Sequence, residues 1–406
     1  MNRVPESSDT RKILAAQALR AFAYGFGAIL LGSVLATRGI GPVGVGIVLG
    51  SVLAGTMVGQ IAVARFSEVW GRRRMYVALY LALAVAGLVF AFGSPTWALV
   101  LVSLTGALST EVVESGPFTS LEQAMLAQRI PPERLAAGFG RYNAVATAAG
   151  ALGALGAGLP GRVREIWRDG PADERWFLLL TISAAAGAVV AWSLSSSVEP
   201  ELRDRRSRLG ESRPAIRRLA SLFALDSFGG GFVVQSFIVY WLTTRFDASL
   251  TVLGITFAAI GVLQTMSFLV APLIAKRFGL LRTMVFTHLP SNLLLAAVAF
   301  APSLEVAISL LLARTVLSQM DVPTRQAFVM VLVPPSRRAA AAAYTNLARY
   351  SVRPVGPTLA GAAQTMAMGL PFLIAGGIKT LYDIALWRSF RDVRLDDATR
   401  PEETTP

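Results

Sequence analysis

The chain has 406 residues, 54% hydrophobic and 16% charged, and its 38 Lys+Arg against 25 Asp+Glu leave a formal charge of +13. A soluble domain solvates its surface with roughly a quarter charged residues, so a mean hydropathy of +0.55 assigns most of this surface to lipid. The positive excess then belongs to loops on the cytoplasmic side rather than to a nucleic-acid partner.

The absence of cysteine excludes disulfides, iron–sulfur clusters and thiolate chemistry, and a single histidine, His288, excludes a histidine metal centre or a His-dependent triad. No G-x-x-x-x-G-K-[ST] run occurs, which excludes an on-chain P-loop ATPase. No metal and no cofactor are expected.

A helix that crosses about 30 Å of hydrocarbon needs roughly 20 mostly apolar residues. Residues 1–12 are polar, and the apolar run after them is too long for the core of a cleaved signal, so it stays as helix one. Spans are predicted near 13–35, 44–64, 76–93, 97–126, 136–159 and 176–195, then near 216–243, 250–273, 284–302, 304–333, 338–366 and 369–388. The expected fold is all-α and integral to the membrane, with twelve transmembrane helices in two groups of six.

Between the groups, residues 196–215 are dense in Arg, Glu, Asp and Ser and read as a cytoplasmic linker. This sets an N-terminal bundle at 1–195, a C-terminal bundle at 216–390 and a disordered tail at 391–406. Arginine and lysine concentrate in the segments that face one way if the N-terminus is inside: Arg3, Arg11, Lys12, Arg65, Arg72, Arg73, Arg74, Arg129 and Arg134, then Lys276, Arg277, Arg282, Arg337, Arg338, Arg388 and Arg391. Both termini are therefore expected in the cytoplasm, in a cell (plasma or inner) membrane.

Three stretches recur in order at offsets of 203 to 208: LRAFAYGF (19–26) with LDSFGGGF (225–232), SEVWGRRRM (67–75) with AKRFGLLRT (275–283), and PPERLAAGFGRYN (131–143) with PPSRRAAAAAYTN (334–346). Parallel repeats of this kind place a solute site near mid-membrane at the repeat interface and rock about it.

With the loop Ala64-Arg65-Phe66-Ser67-Glu68-Val69-Trp70-Gly71-Arg72-Arg73 and its echo Pro272-Leu273-Ile274-Ala275-Lys276-Arg277-Phe278-Gly279, the chain resembles the major facilitator superfamily over essentially its whole length. Ala64 and Glu68 depart from that family's Gly and Asp. The resemblance implies two parallel-related six-helix bundles, carriage of a small molecule by a monomer without ATP, and a gate-latch role for Glu68, Gly71, Arg72 and Arg73, with Lys276, Arg277 and Gly279 in the second copy. A weaker likeness, Gly356-Pro357-Thr358-Leu359-Ala360-Gly361 in helix eleven, resembles a motif of proton-linked drug antiporters that belongs to helix five there. Tight packing through small residues is the preferred reading of it.

Ionisable groups inside a bilayer cost several kcal/mol on most estimates and normally face a cavity or a partner. Read as one continuous helix, span four puts Glu111, Glu114 and Glu122 on one face, with Glu122 near the cytoplasmic rim. Span ten carries Arg314, Asp321 and Arg325, and span eleven Asn346, Arg349 and Arg353. Arg20 with Tyr24 on helix one and Asp226 on helix seven occupy equivalent repeat positions, and Arg141 starts helix five.

Helices one, four, seven and ten line the cavity in the resembled family, so these charges imply a polar translocation path. Six arginines against five carboxylates imply a self-compensated ion-pair network. Glu111 and Glu114 are the first candidates to carry a proton and Asp226 the next; the alternative is that the acids only neutralise arginines.

His288 reads as a packing residue, and Lys379 and Asp383 as an i, i+4 pair. The function expected is secondary active transport, as a proton-linked antiporter effecting efflux of a small organic or amphiphilic solute. Transport of an anion held by Arg314, Arg325, Arg349 and Arg353 is the alternative.

Overall fold

The computed structural model describes residues 8–93, 95–109, 111–112, 116–130, 135–167, 169–199, 213–334 and 337–392. The helices are α1 Ser8–Thr37, α2 Pro42–Trp70, α3 Arg72–Ala91, α4 Thr96–Ser103, α5 Pro117–Arg129, α6 Leu135–Gly156, α7 Leu159–Ile166, α8 Leu178–Trp192 and α9 Arg213–Gly231. They continue as α10 Gln235–Phe246, α11 Leu250–Phe278, α12 Leu280–Val298, α13 Leu304–Ser318, α14 Asp321–Val331, α15 Arg338–Val352, α16 Val355–Met366 and α17 Leu370–Phe390. Among the described residues there is no strand, and nine helical runs have the length and hydropathy to cross a membrane. Most of the expected linker (200–212) and tail (393–406) lies outside the described residues.

Eight predicted spans correspond to one main helix each, and four, the fourth, seventh, tenth and eleventh, are interrupted. Span four is not the continuous helix its apolar run suggests. It is α4 and α5, separated by non-helical chain that includes Gly106 (φ +76°) and Gly116 (φ +68°), with Pro117 opening α5. Positive φ costs glycine nothing and most other residues a clash, so these two glycines let the chain leave the helix. Glu111 lies in that interruption, so the wheel that put it on one face with Glu122 does not apply, and Glu114 lies outside the described residues. Span ten divides at 319–320, span eleven at 353–354 and span seven at 232–234.

The described chain forms two compact units. Unit 1 holds the first six spans and residues 234–262, so α10 and the first half of α11 pack with the first group. Here α1 meets α6 through glycine: a Cβ on Gly25 would lie 2.1 Å from the Gly150 carbonyl oxygen. Ser236 donates to the Ala28 carbonyl at 2.7 Å, and Tyr240 to that of Ile40 at 3.2 Å. Unit 2 holds α9, the rest of α11 and α12–α17 around a core that includes Phe223, Met284, Phe328, Tyr382 and Phe390. The outward faces of α2, α8 and α11 carry exposed Val58, Ile61, Ile182, Val189, Val262 and Leu269, an apolar surface suited to lipid.

The two copies of the repeated loop share a backbone conformation. Gly71 (φ 89°, ψ 139°) and Gly279 (φ 89°, ψ 157°) each stand immediately before the helix that follows.

Candidate functional site

Among the described residues unit 1 contains one fully buried ion pair, Arg20 of α1 with Glu122 of α5, at 2.7 Å with neither side chain exposed. The second arm of the guanidinium reaches Glu122 at 3.3 Å. Tyr76 and Tyr142 donate their hydroxyls to the same carboxylate at 2.6 and 2.5 Å. Tyr24 and Phe118 present their rings to Arg20 at 5.4 and 5.2 Å, and the Tyr24 hydroxyl donates to the Ala107 carbonyl. A charged pair in a low-dielectric interior is tolerated when its remaining hydrogen-bonding capacity is filled, and here it is filled on both sides. Glu122 is thus fully buried in the unit.

Unit 2 holds a larger set. Asp226 of α9 accepts from Lys379 of α17 at 2.5 Å, lies 3.6 Å from Arg325 of α14 and 3.9 Å from Nε2 of His288 on α12. Arg325 also binds Asp321, one turn earlier, at 3.1 Å. On its other side His288 meets Asp383 of α17 through Nδ1 at 2.9 Å, and Asn292 donates to that carboxylate at 2.8 Å. Lys379 and Asp383 therefore do not pair with each other as their spacing suggests, because a shared neighbourhood offers each a better-placed partner. His288 is a member of the charged network rather than a packing residue.

Among the described residues the charge count of this network is uneven. Three carboxylates (Asp226, Asp321, Asp383) face two permanent cations (Arg325, Lys379), with one imidazole between two of the acids. One proton balances it. With Nδ1 turned to Asp383 and Nε2 to Asp226, the imidazole is placed to hold that proton and, on losing it, to leave an uncompensated carboxylate.

Other expected residues fall elsewhere. Arg349 is buried and Arg353 half-buried beside the division of span eleven, while Asn346 and Arg141 are exposed. Arg314 is half-buried on α13, and its Nε is buried without a hydrogen bond among the described residues. Glu111 is half-buried, its backbone N–H held by the Ser109 hydroxyl at 3.0 Å.

In the first loop Glu68 is exposed, and the carboxylate on the loop is that of Glu199, which accepts from the backbone N–H of Arg72 at 2.6 Å and of Arg73 at 3.3 Å. Arg72 is buried, and Arg73 donates to the Leu194 carbonyl at 3.2 Å. Lys276 and Arg277 are exposed beside Gly279. Gly356 of the antiporter-like run packs on α9, where its Cβ would come within 2.5 Å of Gly231, which is the small-residue packing expected of it.

Sequence reasoning found Arg20, Asp226, Asp321 and Arg325 but left Glu122, His288, Lys379 and Asp383 out of the candidate site; Asn292, Tyr76 and Tyr142 it did not single out. Four acidic or basic positions on three apolar helices were the available signal, and reading each helix alone hid it.

The sequence profile of the Major Facilitator Superfamily matches residues 13–357. The chain is 25% identical over 420 aligned residues to an uncharacterized membrane protein of Saccharomyces cerevisiae, spanning 94% of this chain and 93% of that one. Among solved structures it is similar to the nucleoside transporter NupG, at 16% identity and a TM-score of 0.70 over 95% of this chain and 100% of that one. It is also similar to the xylose transporter XylE from E. coli, at 15% identity and a TM-score of 0.67 over 95% and 98%. At such identities the solved neighbours show the fold.

Proposed function

The chain belongs to the Major Facilitator Superfamily, and from that premise we propose that it exports a small organic or amphiphilic solute by alternating access in exchange for protons. It is a multi-pass membrane transporter with the twelve-helix fold of that family, and not an enzyme. The proton link is carried by one observation: among the described residues the buried unit 2 network is a single proton short of balance, and it contains the sole histidine of the chain. An imidazole has an ordinary pKa near neutrality, so a modest change in its surroundings loads or unloads it.

The two repeats supply the halves that rock, and Arg20 and Asp226 mark equivalent places in them. The interrupted spans four, seven, ten and eleven supply backbone that can bend. Glu111 and Glu114 remain further proton candidates. The loop latch acts through Arg72, Arg73 and Gly71, with Glu199 as its carboxylate. The basic loops set both termini in the cytoplasm of a protein acting as a monomer.

Reconstituted vesicles with an imposed pH gradient, offered a panel of solutes of different charge, test this. Wild-type transport should follow the gradient and His288→Asn should lose that dependence; transport indifferent to the gradient would overturn the proton link.

One observation favours a second reading, carriage of an organic or inorganic anion. Arg314 lies inside a membrane span with no ion pair among the described residues, and Arg349 and Arg353 follow on span eleven. Preference for anionic members of the panel, lost in Arg314→Gln, would select it.

A further inference from the structure

At one end of unit 2 a groove of about 450 Å³ opens between the α11–α12 turn, the end of α14 and the end of α17. Its walls carry Arg282, Arg391, Phe278, Phe328, Trp387 and Phe390, with Gly279 and Leu281 between them. Phe328 and Phe390 form its floor, packed edge to face at 5.6 Å on the core of the unit. Arg282 makes no hydrogen bond or ion pair among the described residues, and neither do Lys276 and Arg277 just before it or Arg388 on the last turn of α17. The carboxylate in the groove is that of Asp392, which takes the Nε of Arg391 at 3.3 Å.

The groove is continuous with surface suited to lipid. On α17, Leu381 and Ile384 are exposed on the face that Arg388 shares, and on α12 exposed Phe286 and Leu293 are spaced by two turns. Phe286 stacks edge to face on Trp387 at 5.1 Å, so the aromatic wall of the groove runs into the apolar stripe. Cations and aromatic rings at the top of an apolar stripe are the arrangement that meets a phosphate and its glycerol above two acyl chains. The volume suits a headgroup, not a whole lipid.

We propose that this groove binds the phosphodiester headgroup of an anionic phospholipid of the cytoplasmic leaflet, through Arg282 and Arg391. Placement in that leaflet rests on the termini-inside orientation of the transport reading. The test reads binding alone, so failure of the site and failure of the transport reading are told apart.

The full-length protein in detergent, titrated with phosphatidylglycerol or phosphatidylcholine of the same chains and observed by native mass spectrometry, decides it. Wild type should retain one phosphatidylglycerol in preference to phosphatidylcholine. Each arginine near a charged headgroup strengthens binding about fivefold, so Arg282→Gln with Arg391→Gln should weaken retention roughly twenty-fivefold while thermal unfolding of the lipid-free protein is unchanged. Asp392→Asn should tighten it. Arg162→Gln with Arg164→Gln, the same charge change on α7 of unit 1, should leave it as in wild type. Equal retention of phosphatidylcholine, indifference to the double substitution, or displacement by glycerol phosphate as effective as by the lipid itself would overturn the proposal.

Discussion

Arg20 and Asp226 occupy the same place in the two repeats, yet they sit in opposite kinds of surroundings. Around Arg20, one acid meets one base, and two tyrosine hydroxyls fill the remaining acceptor capacity of Glu122. Around Asp226, three acids meet two permanent bases and an imidazole, over four helices. The first arrangement has nothing left to exchange. The second changes its net charge when a single proton moves, which is what a coupled carrier needs from at least one buried group. Under the proposed proton coupling, a repeat keeps a position and divides its use, with one copy fixing structure and the other carrying the proton.

The largest effect should come from unbalancing the saturated pair. Glu122→Leu leaves Arg20 charged in an apolar interior and should destabilise the protein by about 3–5 kcal/mol, read as thermal unfolding in detergent. Adding Arg20→Met should recover most of that loss. A double variant no better than the single would mean that the pair has a role beyond neutralisation, and the contrast between the two units would weaken.

Next in size is the side proposed to carry the proton. His288→Asn and Asp383→Asn should each lower gradient-driven transport about tenfold or more, in the range typical of losing a positioned proton-transfer group, with the protein still folded in membranes. Equal loss in Glu111→Gln would move the proton path back to span four. Lys379→Met should be milder than Asp226→Asn when transport is compared at fixed pH. Asp226 keeps Arg325 at 3.6 Å and His288 at 3.9 Å without Lys379, whereas Asp226→Asn leaves three cations short of an acid.

The smallest effect concerns the loop. Removing a carboxylate that accepts from backbone N–H groups at a helix start costs about 1 kcal/mol, so Glu199→Ala should slow turnover severalfold, and Glu68→Ala, at an exposed carboxylate, less. The opposite order would restore Glu68 as the latch.

The twelve spans and the repeat were legible in sequence because hydrophobic length and self-similarity are local properties. Gly71 and Gly279 illustrate this, since an aligned residue pair turned out to share one backbone conformation. The interruptions were not legible. Residues 97–126 are apolar enough for a helix, and the glycines that end it, Gly106 and Gly116, look like the small residues common in membrane helices.

That error carried into the site, since a helical wheel drawn through a broken helix grouped Glu111 with Glu122. Partners were lost for a different reason. Glu122 stands 102 residues from Arg20 and Lys379 stands 153 from Asp226, and nothing in either segment names the other. Lys379 and Asp383 were misread because an i, i+4 spacing offers a ready local answer, while each is held across helices instead.

Because His288 is the one histidine in the chain, imidazole nitrogens labelled with ¹⁵N in the tag-free protein report a single site, and their chemical shifts can be followed by NMR from pH 5 to 9. The account predicts that this histidine changes protonation inside that window, that Asp383→Asn and Asp226→Asn displace the midpoint, and that Arg20→Met with Glu122→Leu leaves it in place. An imidazole locked in one state throughout, or one that responds to the unit 1 pair and not to its own carboxylates, would contradict it.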